Sequence, residues 1–284
     1  MTATPISVPG TTGNITGLAF GNPENKPIVA LHGWLDNAAS FIPLGEKLKD
    51  HYIIALDFAG HGLSDWRPAG VKYHFSDYVA DVAHVISALG FGRISLMGHS
   101  LGAGVAMVYA GIYPKKVDRL VLIDGIGPIT ESAENAPERL RKAVDAGLQT
   151  IDGVAKAAKK TRQWEALVIA RQQASPLTRA AAELLLSRGS TEGSEGATVN
   201  ADPAVKHPSP FYFNEQMVSS FISKVTAPTL LLLATQGMVI SRSYTPDRIK
   251  TFCDIQVVEC DGQHHLHMDQ PDQVVIPVQR FLVS

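Results

Sequence analysis

Short runs of apolar, β-prone residues recur along the chain and alternate with segments whose apolar positions repeat at helical spacing. The runs are nearly continuous, as in strands that are buried on both faces of a parallel sheet. They cover residues 27–31, 52–57, 94–99, 117–124, 228–233 and 255–259. Between two of them, Val79, Val82 and Ile86 recur at helical spacing. The alternation predicts an α/β fold with a mostly parallel sheet and helices on both faces.

The alternation stops between residues 129 and 224, where Ala, Leu, Arg, Lys and Gln are abundant and no strong strand signal occurs. The pattern predicts helices over residues 136–149, 154–160, 162–175 and 177–186, and a polar, glycine-rich loop over residues 189–197. We therefore predict two parts. Residues 1–128 and 225–284 form the α/β core, and residues 129–224 form a helical cap, or lid.

The amino-acid composition and charge of the chain limit the kinds of molecule that it is expected to bind. The 284 residues are 45% apolar, which is enough for a sizeable core, and the formal net charge is −2. Because lysines and arginines are scattered, we expect no nucleic-acid partner and no membrane partner. The amino-terminal segment has no secretory pattern, and Cys253 and Cys260 are expected to be reduced, so the predicted location is cytoplasmic. The oligomeric state stays open.

The pentapeptide Gly98-His99-Ser100-Leu101-Gly102 has the pattern G-x-S-x-G. A β-prone run ends at its first glycine and a small-residue helix begins at its last, which is the context that a nucleophile elbow requires. Such a turn strains the backbone of the serine and admits only small neighbours. The pattern predicts that Ser100 is a nucleophile. The alternative is a glycine-rich turn whose serine only caps the helix.

Three further motifs occur in a familiar order: His-Gly-Trp at residues 32–34, D-F-A-G-H-G-L-S at residues 57–64, and G-Q-H-H-L-H-M-D-Q-P at residues 262–271. Together with the pentapeptide, they make nearly the whole chain resemble the α/β-hydrolase family. In the cap, Arg188-Gly189 and Asp202-Pro203 are similar to the branch of serine hydrolase-like proteins. The fold expected from the resemblance is an α/β-hydrolase sheet with a helical lid inserted after the sixth strand.

The resemblance also implies roles for individual residues. In the family, the catalytic histidine lies five residues before an acidic residue that Asp269 matches here, which selects His264 as the general base. The backbone N–H groups of Trp34 and Leu101 are expected to form the oxyanion hole. We expect no cofactor.

The other histidines have structural interpretations at this stage. His32 and His61 are expected to fix loops, and His99 to pack beside the elbow. His265 and His267 are interpreted as packing or hydrogen-bonding residues. A metal site built from them would need further ligands with defined geometry, and none is evident, so no metal is predicted.

The acidic member of the triad departs from the family pattern, because Gly237 occupies its usual position after the seventh strand. Our candidate is Asp124, since some family members carry the acid at the end of the sixth strand. The ends of parallel strands collect at one edge, so Asp124 is expected near Ser100 and His264. A diad with no acid remains an alternative. So does another carboxylate, such as Asp36, Asp261 or Asp269.

The predicted activity is hydrolysis of a carboxylic ester, thioester or lactone through an acyl-enzyme on Ser100, with a small-molecule acyl compound as substrate. A dehalogenase or an epoxide hydrolase would need a carboxylate in place of Ser100. A perhydrolase or a carbon–carbon bond hydrolase could use the same triad. The alternative from another class is a non-catalytic, ligand-binding protein with a relict site, since the fold hosts many functions.

Overall fold

Ten strands occur in the computed structural model, which describes residues 3–153 and 161–283. In chain order they are β1 (Thr4–Pro9), β2 (Asn14–Phe20), β3 (Pro27–Leu31), β4 (Tyr52–Leu56), β5 (Ile94–His99), β6 (Val117–Ile123), β7 (Ser190–Gly193), β8 (Gly196–Val199), β9 (Thr229–Gln236) and β10 (Ile255–Gln263). Eight of them form one sheet in the order β1-β2-β4-β3-β5-β6-β9-β10.

The sheet is parallel from β4 to β10, as the continuous apolar runs predicted. The exceptions are β1, which is antiparallel to β2, and β2, which is antiparallel to β4. This amino-terminal pair was absent from the prediction because its residues mix polar and apolar types. An antiparallel strand at the edge of a parallel sheet can expose one face to water, so it lacks the continuous apolar signal.

Most helices among the described residues lie between strands, and the last two follow β10. They are α1 (Ile42–Gly45), α2 (Phe75–Ala88), α3 (Leu101–Ile112), α4 (Ala136–Gly153), α5 (Trp164–Ala174), α6 (Arg179–Gly189), α7 (Glu215–Ile222), α8 (Thr245–Thr251), α9 (Leu266–Asp269) and α10 (Pro271–Val283). No helix in this part of the chain is both long and apolar enough to cross a bilayer.

Helices cover both faces of the sheet, because alternate residues of each buried strand point in opposite directions. In β3, Val29 belongs to a cluster that includes residues of α2 and α3, whereas Ile28 belongs to a cluster that includes residues of α1 and α10. Both side chains are almost fully buried. The prediction of helices on both faces is confirmed.

The interval that the sequence assigned to a cap contains α4, α5, α6 and α7. The predicted helices over residues 136–149, 162–175 and 177–186 correspond to α4, α5 and α6, and the one over residues 154–160 lies outside the described residues. The predicted loop over residues 189–197 was wrong, because β7 and β8 form an antiparallel hairpin there. Gly196, with φ of +130°, allows the tight turn that joins β7 to β8.

A buried ion pair joins this interval to the sheet. Asp57 follows β4, and its carboxylate accepts hydrogen bonds from the Ala38 N–H (2.7 Å) and from Arg188 Nη2 in α6 (2.7 Å). Burial alone raises the pKa of Asp57, but the hydrogen bonds and charge of Arg188 outweigh it, so the pKa is lowered from its ordinary value of 3.8. Asp57 is therefore ionised at neutral pH and holds Arg188 against the core.

Replacing Arg188 with Met should destabilise the protein by about 3–5 kcal/mol, because the buried Asp57 charge loses its partner. The measurement is urea unfolding at pH 7, with Arg141→Met as the matched control, since Arg141 pairs with Asp145 on the exposed surface of α4. The ion pair stabilises the wild type at pH values above the ordinary carboxyl pKa. This stabilisation is lost as the pH falls through the lowered pKa that Asp57 has in the folded state. Equal unfolding midpoints for the two variants would contradict this account.

Candidate active site

Ser100 lies in a strained turn between β5 and α3, with φ of 52° and ψ of −113°. A positive φ is unfavourable for any residue with a side chain, and such strain is concentrated at functional sites. Two glycines make the turn possible. A Cβ on Gly98 would lie 2.4 Å from the Gly102 carbonyl oxygen, and one on Gly102 would lie 2.0 Å from the Leu31 carbonyl oxygen. The local geometry is that of a nucleophile elbow.

The loop after β3 packs against this elbow. The Gly102 N–H donates to the His32 carbonyl oxygen (3.1 Å), which links the start of α3 to the loop. The His32 ring accepts at Nε2 from the Phe58 N–H (2.9 Å), so its Nδ1–H donates to the Gly33 carbonyl oxygen (2.7 Å). Burial lowers the pKa of His32, which keeps the ring neutral. His32 therefore fixes the loop by hydrogen bonds.

Trp34 occupies a tight turn within this loop. The Asp36 N–H donates to the Gly33 carbonyl oxygen (3.1 Å), and Leu35 has φ of +62°. The Trp34 indole donates to the Val205 carbonyl oxygen (3.3 Å), while about half of the residue stays exposed. Leu101 is the first residue of α3, where backbone N–H groups lack intrahelical partners. The two predicted oxyanion donors thus belong to the loop after β3 and to the start of α3, which the Gly102–His32 hydrogen bond joins.

Asp124 lies beside Ser100 at the carboxyl edge of the sheet. The pairing of His99 with Ile123 in β5 and β6 brings the two following residues side by side. Asp124 has φ of +39°, and its N–H donates to the Leu232 carbonyl oxygen of β9 (2.8 Å). This bond extends the β6–β9 pairing by one residue. The backbone of Asp124 is therefore fixed by the sheet, and its side chain leaves the sheet edge in one direction.

The Asp124 carboxylate meets the His264 ring after β10. Oδ2 lies 2.5 Å from Nδ1 of His264 and accepts a second hydrogen bond from the Met238 N–H (2.9 Å). Since a carboxylate only accepts, the proton is on Nδ1, which leaves Nε2 of His264 free to act as a base. Asp124 is fully buried and His264 nearly so.

The other carboxylates that the sequence left open have partners elsewhere. Asp261 accepts from the Thr235 hydroxyl (2.9 Å), and Asp269 accepts from the Thr178 hydroxyl (2.7 Å). Asp36 bonds to His265 rather than to His264. Among the candidates, the geometry therefore brings Asp124 to His264.

Gly237 has a direct role in this arrangement. A Cβ on Gly237 would lie 2.5 Å from both carboxylate oxygens of Asp124, well inside contact distance. The absence of a side chain at the family's usual acid position therefore leaves the space that the Asp124 carboxylate occupies. The two departures from the family pattern are therefore linked in space, since the carboxylate of Asp124, just after β6, fills the room that Gly237 leaves.

A second polar cluster lies next to the site, beside Ser100 and His264 in the chain. It consists of Asp36, His99, His265, His267 and Arg171. One ligand atom each from Asp36, His99 and His265 falls within 4.8 Å of the others, so this trio could meet a cation. Arg171, however, already donates to Asp36 and brings a positive charge to the same point. The geometry thus favours an ion-pair network over a metal centre.

Two histidines of this cluster, His99 and His267, are neutral at physiological pH. Burial is the largest cause that lowers the pKa of His99 to about 4, and burial likewise holds the pKa of His267 well below its usual range. His99 was expected to pack only, but its Nε2–H donates to the His264 carbonyl oxygen (2.9 Å). Sequence reasoning missed the cluster because Asp36 and Arg171 are 135 positions apart and share no motif.

The chain is similar to known proteins over nearly its whole length. Residues 26–271 match the family described as the alpha/beta hydrolase fold. A serine hydrolase-like protein from Danio rerio is 31% identical over 288 residues, which cover 99% of this chain and 88% of that protein. A solved hypothetical protein from Pseudomonas aeruginosa PAO1 has a TM-score of 0.91 and 36% identity, with 99% of each chain covered. The thioesterase domain from the curacin biosynthetic pathway shares the fold, with a TM-score of 0.83 and 19% identity, covering 98% of this chain and 100% of that domain.

Replacing Asp124 with Asn should lower turnover by up to about 10⁴-fold, because the amide would favour the wrong tautomer of His264. The measurement is the steady-state hydrolysis of an activated ester. Asp261→Asn is the control, since this carboxylate bonds to Thr235 and not to the histidine. A loss of turnover of less than tenfold in Asp124→Asn would show that Asp124 is not the acid of the triad.

Replacing Gly237 with Ala should reduce turnover by about 10²-fold or more, because the new methyl group forces the Asp124 carboxylate away from His264. Gly92→Ala is the matched control, since a Cβ there meets no atom within 4 Å. The two variants are compared at the same substrate concentrations. Equal turnover in both would show that Gly237 does not make room for the acid.

Proposed function

Because the chain belongs to the alpha/beta hydrolase family, as its motifs predicted, we propose that it is a serine hydrolase that cleaves a carboxylic ester, thioester or lactone. The observation that carries the proposal is the contact between Asp124 and His264, at the sheet edge where Ser100 lies in a strained elbow. A hydrogen-bonded acid and base beside a nucleophile elbow are the constellation that activates a serine hydroxyl.

In the proposed reaction, Nε2 of His264 takes the proton of the Ser100 hydroxyl while the serine oxygen attacks the carbonyl carbon of the substrate. Asp124 holds the ring in the required tautomer and stabilises the imidazolium that forms. The N–H groups of Leu101 and Trp34 donate to the developing oxyanion, an interaction in which each donor is typically worth about 2.7–4 kcal/mol. His264 then protonates the leaving group, and an acyl-enzyme remains.

Hydrolysis of the acyl-enzyme completes the cycle. His264 takes a proton from a water molecule, whose oxygen attacks the acyl carbon, and the ester bond to Ser100 breaks. The serine oxygen recovers its proton from His264 and the carboxylic acid leaves. The only co-substrate is water.

Apolar side chains beside the site support an acyl substrate. The loops after β3, β6 and β9 expose large apolar side chains, namely Trp34, Ile129, Met238 and Ile240. Exposed apolar surface at a site fits the hydrocarbon part of a small acyl compound.

The competing hypothesis, a ligand-binding protein with a relict site, depended on the missing acid at Gly237. Because Asp124 lies in contact with His264, the glycine at position 237 no longer argues for a relict site. A relict site also has no need of the strained Ser100 backbone. The names of the serine hydrolase-like relatives and of the thioesterase domain with the same fold point in the same direction.

Hydrolysis of p-nitrophenyl esters from acetate to octanoate tests the proposal. The wild type should turn over at least one ester, and Ser100→Ala should lose about 10⁴-fold or more of that activity, because no other described group takes the place of the nucleophile. Ser220→Ala is the matched control, since this hydroxyl lies on the exposed side of α7 and bonds only to the Met217 carbonyl oxygen. Full activity in Ser100→Ala, or none in the wild type on any ester or thioester, would contradict the proposal.

A further inference from the structure

One buried carboxylate, that of Asp36, lies where the loop after β3, the end of β5 and the loop of His264 meet. It belongs to the loop after β3 and faces both His99, which precedes Ser100, and His265, which follows His264. Asp36, His99 and His265 are all nearly inaccessible to solvent. None of the chemical steps described above uses these three side chains, so their arrangement needs its own explanation.

The turn that carries the Trp34 N–H depends on Asp36. The Asp36 N–H closes this turn on the Gly33 carbonyl oxygen (3.1 Å). A Cβ on Gly33 would lie 2.8 Å from Asp36 Oδ2 and 2.9 Å from His99 Nδ1, so the turn packs directly on the carboxylate and on the ring. A shift of Asp36 would therefore move the predicted oxyanion donor.

The loop of the general base depends on the same carboxylate. His265 Nε2 lies 3.1 Å from Asp36 Oδ2, which fixes the residue next to His264. His99 Nδ1 lies 3.6 Å from the same oxygen, and its Nε2–H donates to the His264 carbonyl oxygen (2.9 Å). The neighbour of His264 is thus hydrogen-bonded to Asp36, and the His264 carbonyl is held by a second ring that packs against the same carboxylate without a hydrogen bond to it.

The cation that pairs with Asp36 comes from α5. Arg171 donates to Asp36 Oδ1 and lies 3.4 Å from His265 Nε2, and its side chain is mostly buried. Ser175, just after α5, bonds to His265 Nδ1 (3.2 Å). A carboxylate removed from water stays ionised in its place only where a cation and hydrogen bonds compensate for its lost hydration. The position of α5 therefore determines how well the Asp36 charge is compensated.

We propose that Asp36 is a positioning residue for the reaction and that Arg171 couples the packing of α5 to the oxyanion loop and to the loop of His264. With Arg171 in contact, Asp36 holds the Trp34 turn and the His264 loop in the reactive arrangement. Without this contact, the uncompensated carboxylate moves toward water, and both loops loosen. The kinetic part of this inference rests on the proposed hydrolase function, whereas the coupling between the two loops does not.

The first experiment is hydrogen exchange measured by mass spectrometry, which needs no activity. In Arg171→Met, peptides that cover residues 32–40 and residues 264–269 should exchange about tenfold faster or more, because both loops lose one shared anchor. Arg179→Met is the matched control, since Arg179 lies on α6 of the predicted cap but pairs with the exposed Glu165. Its two loops should exchange as in the wild type.

The second experiment measures kinetics on the best p-nitrophenyl ester. Arg171→Met should lower kcat by about 10–10²-fold while KM changes less than about threefold, because misplacing catalytic groups affects the chemical step more than ground-state binding. Arg171→Lys, which keeps the charge, should recover most of this loss. Asp36→Asn should cost less in the Arg171→Met background than in the wild type, since the two groups act as one pair.

The outcomes separate the two hypotheses. Unchanged exchange in both loops of Arg171→Met would overturn the coupling. Faster exchange with unchanged kcat would overturn the positioning role of Asp36, because the loops would then loosen without a catalytic effect. If Arg171→Met does not fold, the same peptides are compared in Asp36→Asn, where unchanged exchange has the same meaning. An inactive wild type would refute the proposed function, while the exchange data would still decide the coupling.

Discussion

The hydrogen bond between Asp124 and His264 is the interaction on which the arrangement of the candidate site depends. It joins the ends of β6 and β10, which are separated in the sheet by β9. The parallel sheet makes this contact possible, because the carboxyl ends of its strands lie at one edge. Gly237, just after β9, then decides whether the contact forms, since any side chain there would occupy the position of the carboxylate.

Two buried ion pairs connect this edge to the helices of the predicted cap. Asp57 after β4 pairs with Arg188 of α6, and Asp36 after β3 pairs with Arg171 of α5. Each carboxylate is also fixed by hydrogen bonds within the core, so each pair joins a rigid loop to a helix. Because burial raises the free energy of an unpaired charge, loss of either arginine contact would be costly, and each pair therefore favours one position of its helix.

The sequence was informative wherever the signal is local. Continuous apolar runs predicted the buried strands, and the glycines around Ser100 predicted the strained turn, because both features are set by neighbouring residues. The hairpin of β7 and β8 was missed because its short, polar strands resemble a loop. Contacts between distant positions could not be derived from the pattern. Asp124 was one candidate among several, and its contact with a histidine 140 positions away became visible only in the fold.

The most direct test of this account is the reaction of the wild-type protein with a fluorophosphonate, followed by intact-mass analysis and peptide mapping. A nucleophile activated by His264 attacks phosphorus and displaces fluoride, which leaves one stable adduct. We expect one adduct per chain, on Ser100, formed much more slowly in Asp124→Asn. No adduct, or an adduct on another residue, would contradict the central claim that Ser100, His264 and Asp124 act together.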